Sequence, residues 1–206
     1  MMKFFKKILI AASIFFCSTA AFAGDNSPVV ILNHVSQQMI GGLEQNKSKI
    51  KSSPKIIDNL VEKYIVPHID IDRMTGSILG RGYWTKASSA QKKQLITELQ
   101  KMIIATYSAA FASYDNDKIQ FYPLRGDVNA PELQVQSVVV RRSGQKIRVD
   151  YNVEKLNGTW MVYDFSIENV SMVQSYRSQF AGTLSQGGVP LLIQQLKAHN
   201  QSQGNG

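Results

Sequence analysis

The chain has 206 residues, with 23 Lys or Arg against 15 Asp or Glu, so its formal net charge is +8. This length suffices for one well-packed core, and one cysteine excludes a fold that internal disulfides hold together. The basic balance favours anionic partners: lipid head groups, membrane surfaces or nucleic acid.

The first residues have the pattern of a secretory signal peptide. Three lysines among the first seven residues precede an apolar run at 8–16, and Ala21-Phe22-Ala23 matches a small-residue cleavage site. The run is too short for a retained membrane span. We predict a signal peptide over 1–23, cleaved after Ala23, which would also remove Cys17, the only cysteine.

Cleavage would remove three lysines and no acidic residue, and the net charge would fall to +5. A short, Ala-rich signal is typical of bacterial export, so we expect a periplasmic protein, and export argues against a nucleic-acid partner. Residues 24–200 are predicted to form a single domain, and 201–206 a flexible polar tail.

The first half of the chain is predicted to be helical. Ser27-Pro28 and Ser53-Pro54 each combine a helix N-cap with proline at the first helical position. Gly41-Gly42 is expected to weaken the end of the first helix, and the second is expected to stop before Pro67. A short helix after Asp70 or Asp72 should then break in the glycine-rich stretch at 80–82.

The next helix has the clearest signal in the sequence. Ser88-x-x-Gln91 is a capping box, in which each side chain can satisfy a backbone N–H of the other residue. Apolar side chains then recur at helical spacing along one face. Those on this face are Leu95, Leu99, Met102, Ile103, Thr106, Tyr107, Ala110, Phe111 and Tyr114.

The second half changes to the two-residue period of strands. Segments 118–122, 133–141, 146–154 and 160–167 are predicted strands, with tight turns at Ser143-Gly144 and Asn157-Gly158. In the last of these strands, strict alternation would put four side chains on one face: Met161, Tyr163, Phe165 and Ile167. A capping box at Ser171-x-x-Gln174 starts a helix that should end at Gly187-Gly188, before a final helix opened by Pro190. The order indicates an α+β fold.

Candidate catalytic and metal-binding patterns are weak. His68-x-Asp70-x-Asp72 has metal-ligand residue types, but no second group of ligands accompanies it, and helix capping after Pro67 is the favoured explanation. No G-x-S-x-G elbow supports a serine hydrolase. The glycines at 76, 80 and 82 match no phosphate-binding fingerprint and indicate a flexible break. Arg141-Arg142 and Arg148 surround one hairpin, where they would bind phosphates or form a solvated edge.

Three motifs resemble the MlaC family, the periplasmic phospholipid-binding components of the bacterial lipid-asymmetry transport system, also called toluene-tolerance proteins. They are Gly80-x-x-Tyr83-Trp84-x-x-Ala87-Ser88-x-x-Gln91, Thr106-Tyr107, and Tyr163-Asp164-x-x-x-Glu168-Asn169-Val170-Ser171-Met172. The likeness spans essentially the whole chain after the signal. The family often has Gly at the position of Asn169, a residue that tolerates the left-handed turn.

The resemblance implies a twisted antiparallel sheet of about four strands, packed on a helical layer with an apolar lipid cavity between them. It also implies a non-enzymatic, monomeric carrier with phospholipid as cargo and without cofactor or metal. Its implied partners are an outer-membrane lipoprotein–porin complex and an inner-membrane ABC transporter with its substrate-binding ring. The alternatives are a periplasmic chaperone or lipoprotein carrier, and a secreted hydrolase.

Methionine and aromatic surfaces suit a flexible apolar guest, but a filled core has the same pattern. We expect the following apolar side chains to line the cavity: Leu79, Ile103, Tyr107, Phe111, Val149, Tyr151, Val153, Tyr163, Phe165 and Val170. Arg81, Arg142 and Arg148 are expected to contact the lipid head group or a partner protein. With Val170 at the rim, Val170→Glu would put a charge in the cavity and remove the lipid.

Overall fold

A computed structural model describes residues 27–204, which form a five-stranded antiparallel sheet and seven α-helices. The predicted signal peptide at 1–23 and the last two residues of the predicted tail lie outside this range. The helices are α1 (Pro28–Gln45), α2 (Lys47–Ile50), α3 (Lys55–Tyr64), α4 (Ile71–Leu79), α5 (Arg81–Lys86), α6 (Ser89–Ala112) and α7 (Met172–Gly204). The strands are β1 (Lys118–Phe121), β2 (Glu132–Val140), β3 (Lys146–Leu156), β4 (Thr159–Ile167) and β5 (Val170–Ser171).

The α+β prediction is confirmed, with one more short strand than the four expected. The strands pair in chain order, β1-β2-β3-β4-β5, as an antiparallel meander. Two of the turns have two consecutive residues in left-handed backbone. Asn157 and Gly158 have φ of 50° and 85°, and Glu168 and Asn169 have φ of 50° and 66°. Asn169 therefore adopts the geometry for which the family often uses Gly.

Several helix ends differ from the sequence prediction. α1 continues through Gly41 and Gly42 to Gln45. A Cβ on Gly42 would lie 2.6 Å from Leu60 Cδ2, so this glycine permits close approach of α3 rather than ending α1. Gly80, at φ +76°, separates α4 from α5 and makes a corner between two helices instead of a flexible break.

The capping predictions explain the two long helices. Ser88 Oγ accepts from Gln91 N–H at 3.2 Å, and Gln91 Oε1 accepts from Ser88 N–H at 2.9 Å, so the box that starts α6 is confirmed. At α7, Ser171 Oγ accepts from Gln174 N–H at 3.1 Å and donates to Asp164 at 2.7 Å. Gly188, at φ +62°, divides α7 into the two predicted helices, and the second runs on to 204 through the start of the predicted tail.

Strand β4 contains an irregularity that the alternation rule did not predict. Asn152 pairs with Asp164 and Val153 pairs with Val162, so Tyr163 is an extra residue without a partner on β3. Such a β-bulge reverses which residues share a face. Trp160 and Val162 therefore lie on the same face as Phe165 and Ile167, and the prediction that Met161 and Tyr163 share that face is wrong.

Three apolar clusters hold the helices to one another and to this face. One joins α4, α6 and α7 around Ile78, Leu95 and Leu99. The second joins α1 to the sheet through Leu32 and Val135. The third joins α1, α3 and α6, through side chains that include Met39, Leu43, Ile57, Val61 and Ile104. These clusters lie around the apolar face of the sheet and leave part of that face unfilled by side chains.

We predict that deleting Tyr163 leaves the fold intact. The remaining β4 residues then alternate without interruption, and every apolar side chain keeps its face. The Tyr163 ring, which lies 3.6 Å from the Arg73 guanidinium carbon, and its hydrogen bond to Glu132 would be lost, at about 1–3 kcal/mol. Chemical denaturation measures the change.

The matched control is deletion of Ser166 in the same strand. This deletion would turn Ile167 to the opposite face or strain the turn at Glu168-Asn169, so it should be much more destabilising. Equal loss of stability in the two deletion variants would contradict the assignment of Tyr163 as the bulge.

Candidate functional site: an apolar cavity under the sheet

A cavity of about 430 Å³ lies between the apolar face of the sheet and helices α1, α3 and α6. This volume is in the range of small-molecule binding sites. The three apolar clusters surround it, so it occupies the part of the interior that packing leaves open.

The sheet supplies one wall, and strand register determines its members. Ile119 pairs with Val139, which pairs with Ile147, so three aliphatic side chains form a row across β1, β2 and β3. The next rows continue on β3 and β4, where successive wall residues lie two positions apart, except across the bulge between Val162 and Phe165. The wall residues on these two strands are Ile147, Val149, Tyr151, Val162, Phe165 and Ile167.

Two helices supply most of the opposite wall. On α6, Ile103, Tyr107 and Phe111 recur at four-residue spacing and face the sheet. The Tyr107 ring meets the Phe165 ring edge to face, with 5.2 Å between centroids. Burial, and then the charges of Tyr176 and Asp164, raise the pKa of Tyr107, which keeps its hydroxyl neutral. α1 adds Leu32, Val35, Ser36, Met39, Ile40 and Leu43.

His68 brings a polar group to this largely apolar wall. Its Nδ1 is buried and has no hydrogen-bond partner among the described residues. Burial, and then the nearby His34, lower the pKa of His68, so the imidazole is neutral at pH 7. Asp70 instead accepts from Arg73 N–H at 2.8 Å and caps α4, which confirms the capping interpretation of this motif.

Polar side chains gather at one end of the cavity. Tyr114, Asp117 and Arg141 line it there, and Asp117, whose side chain is only 9% exposed, pairs with Arg141 Nη1 at 2.8 Å. Tyr114 donates to Glu44 at 3.0 Å. Burial, and then this hydrogen bond, raise the pKa of Tyr114 to about 12. An open hollow between α1 and β1 shares Ile40, Tyr114, Asp117 and Ile119 with the cavity, so this end is a mouth.

Six of the ten predicted side chains line the cavity, and four lie elsewhere. The six are Ile103, Tyr107, Phe111, Val149, Tyr151 and Phe165. Leu79 is buried in the cluster of α4, α6 and α7. Val153 packs with Leu32 and Val135. Both are core residues, which a sequence pattern cannot separate from cavity residues.

The other two predicted side chains, Tyr163 and Val170, lie outside the cavity for local reasons. The bulge turns Tyr163 away from the cavity, where its ring stacks on Arg73 and its hydroxyl donates to Glu132 at 3.2 Å. Val170 lies in the short edge strand β5, and its side chain is 63% exposed. It is not a rim residue, and Val170→Glu is no longer expected to put a charge in the cavity.

The three predicted arginines lie outside the cavity wall. Arg81 is exposed on α5. Arg142 pairs with Asp115 at 3.2 Å, and its side chain is 71% exposed. Arg148 alternates with the wall residue Val149, so it lies on the opposite face and pairs with Asp150 at 2.8 Å. Arg141, named only among possible phosphate ligands, is the arginine that reaches the cavity.

The sequence pattern did not single out the cavity residues of α1, nor Ile119, Val139, Ile147 or Ile167, as wall residues. Their alternation was visible in the sequence, but the order of the strands and the side covered by helices were not. Within residues 27–204, no helix is both long and apolar enough to cross a bilayer. Over the same range, no three His, Cys, Asp or Glu side chains are grouped as a metal site would require.

The comparisons with known proteins agree with one another. A solved phospholipid-binding protein from Ralstonia solanacearum, in complex with a phospholipid, superimposes with a TM-score of 0.78 at 27% identity, covering 84% of this chain and 97% of that one. The intermembrane phospholipid transport system binding protein MlaC of Haemophilus influenzae is 25% identical over 95% of this chain and 92% of its own length.

The toluene tolerance protein ttg2D of Pseudomonas putida is 24% identical over 79% of this chain and 75% of its own length. The family model described as MlaC protein matches residues 33–198. With this match over most of its length, the chain belongs to the MlaC family.

Proposed function

We propose that this protein is a periplasmic phospholipid carrier, which moves lipid between outer- and inner-membrane transport complexes and so maintains outer-membrane lipid asymmetry. The observation that carries the proposal is the apolar cavity under the sheet, in a chain that belongs to the MlaC family. The Ralstonia protein, which shares the fold, holds a phospholipid.

The physical need for such a cavity follows from lipid solubility. Two acyl chains carry roughly 30 methylenes, and each costs about 0.8 kcal/mol to expose to water. The total of about 20 kcal/mol or more makes free diffusion of monomeric lipid through an aqueous compartment negligible. A wall of aliphatic and aromatic side chains offsets that cost by binding alone, so the protein acts by uptake and release, without a reaction.

The acyl chains would contact the six predicted side chains that line the cavity, together with the apolar side chains that α1 adds to its wall. The six are Ile103, Tyr107, Phe111, Val149, Tyr151 and Phe165. Each contributes apolar surface, and Tyr107 and Phe165, in edge-to-face contact, hold the sheet wall against α6. The cargo needs no metal or cofactor.

Membership of the MlaC family supports the proposed partners and compartment. The Haemophilus relative is named as part of an intermembrane phospholipid transport system, which supports exchange with an outer-membrane lipoprotein–porin complex and with an inner-membrane ABC transporter and its substrate-binding ring. Exposed Arg81, Arg142 and Arg148 are proposed contacts for these partners or for the head group. The protein would act as a monomer.

We predict that protein purified from bacterial periplasm carries about one two-chain phospholipid per molecule. Extraction with organic solvent and mass spectrometry would identify and count the lipid. Folded protein without two-chain lipid would refute the carrier function, and co-purifying unfolded polypeptide or lipoprotein would instead support the chaperone or lipoprotein-carrier alternative.

We predict that Val149→Glu reduces co-purifying phospholipid several-fold. Val149 lies in the sheet wall, and a carboxylate there would lose its hydration when acyl chains pack against it, which costs binding free energy. Val149→Trp, which fills the cavity without adding charge, should also reduce the lipid content, since the ring would occupy the volume of the cargo. Lipid per folded protein is measured by mass spectrometry after thermal unfolding has verified the fold.

The matched control for the charge is Val170→Glu. The same substitution at this exposed position on β5 should leave lipid content unchanged. If Val170→Glu removed as much lipid as Val149→Glu, the lipid would not lie in the cavity described here.

A further inference from the structure

The charged head group of a phospholipid cannot lie in the apolar part of this cavity. An isolated charge without hydrogen-bonding partners in apolar surroundings costs several kcal/mol or more. The head group must therefore sit where the cavity wall becomes polar and opens to solvent. That place is the mouth between α1 and β1, where Tyr114 and Asp117 belong both to the cavity and to the outer hollow.

Arg141 is the only Arg or Lys among the described residues that line the cavity. Its guanidinium is held by Asp117 at 2.8 Å through Nη1 and by Ser113 Oγ at 3.2 Å through Nη2. These two bonds use two of its five N–H groups, and the side chain is 31% exposed. The group is therefore fixed in position with donors still available for a ligand.

The charges around this mouth favour an anion. The negative charge of Asp117 is already compensated, because its carboxylate accepts from Arg141 and from the backbone N–H of Arg142 at 3.3 Å. The side chains of Lys47 and Arg142 share Asp115, at 3.3 and 3.2 Å, and so leave one positive charge in excess. The hollow at the mouth is also lined by Lys118 and Glu44, whose opposite charges cancel in this sum. The mouth therefore keeps a net positive charge, which attracts an anion.

We propose that Arg141 binds the lipid phosphate, which anchors the head group at the mouth and points the acyl chains inward toward His68. The proposal rests on the proposed function and adds to it a recognition residue for the phosphate. Arginine suits this role because its planar fork matches phosphate oxygens at short, charge-assisted hydrogen-bond distances.

The test uses two ligands that differ only in the phosphoglycerol head group: dioctanoylphosphatidylglycerol and dioctanoylglycerol, titrated calorimetrically into delipidated protein. Arg141→Leu should weaken phosphatidylglycerol binding about ten- to a hundred-fold and leave dioctanoylglycerol binding unchanged. Arg141→Lys, which keeps the charge and lacks the fork, should fall between Arg141→Leu and wild type.

Two further variants serve as controls. Arg125→Leu removes the same charge from an exposed residue that lines neither the cavity nor the hollow at its mouth, so it should change both affinities less than about three-fold. Arg141→Leu combined with Asp117→Asn avoids an unpaired buried carboxylate and should show the same selective loss as Arg141→Leu.

The outcomes separate the two proposals. If wild-type protein binds phosphatidylglycerol but Arg141→Leu changes neither affinity, or lowers both equally, the role of Arg141 is overturned and the carrier function stands. If wild-type protein bound neither ligand, both the role of Arg141 and the carrier function would be overturned. A loss confined to the phosphate-bearing ligand supports Arg141 as the phosphate ligand.

Discussion

The β-bulge at Tyr163 is the constraint on which the cavity depends. A strand that alternated strictly through this point would present either Trp160 and Val162 or Phe165 and Ile167 to the helices, but not both pairs. The extra residue turns both pairs to the same side. One face of β4 then serves two purposes. Trp160 and Val162 pack with α1, and Val162 also joins Phe165 and Ile167 in the cavity wall.

The cavity exists because the helices pack mainly against one another, around the space that remains under the sheet. α4, α6 and α7 form a core of their own beside the sheet, and α1 and α3 form another with α6. The first part of α1 packs on the sheet through Leu32 and Val135. Stability thus comes from cores that do not need the cavity to be filled, which suits a protein that must exist both with and without its cargo.

The placement of polar groups gives the cavity a direction. Along most of its length the wall is aliphatic and aromatic, and Asp117 and Arg141 lie together at the mouth. Tyr114 is held neutral there by burial and by Glu44, so it offers a hydroxyl without adding charge. Such a site discriminates between the two ends of an amphipathic molecule through desolvation alone, before any specific contact is considered.

Local sequence signals predicted most of the fold. The capping box at Ser88 and Gln91, the turn at Asn157-Gly158 and the break at Gly188 act within a few residues, so the sequence specifies them directly. The order of helices and strands followed from the change of hydrophobic period, and the family followed from three motifs. Six cavity residues were found because they lie on the apolar faces of α6, β3 and β4.

Only the tertiary structure decided which apolar residues face empty space. Leu79 and Val153 have the same local pattern as Ile103 and Val149, since a core and a cavity wall both require apolar side chains. The bulge at Tyr163 could not be predicted, because one extra residue leaves the amino-acid composition of a strand unchanged. The choice of Arg141 over Arg142 at the mouth likewise depends on which face of β2 the helices cover, a relation between segments that no local pattern contains.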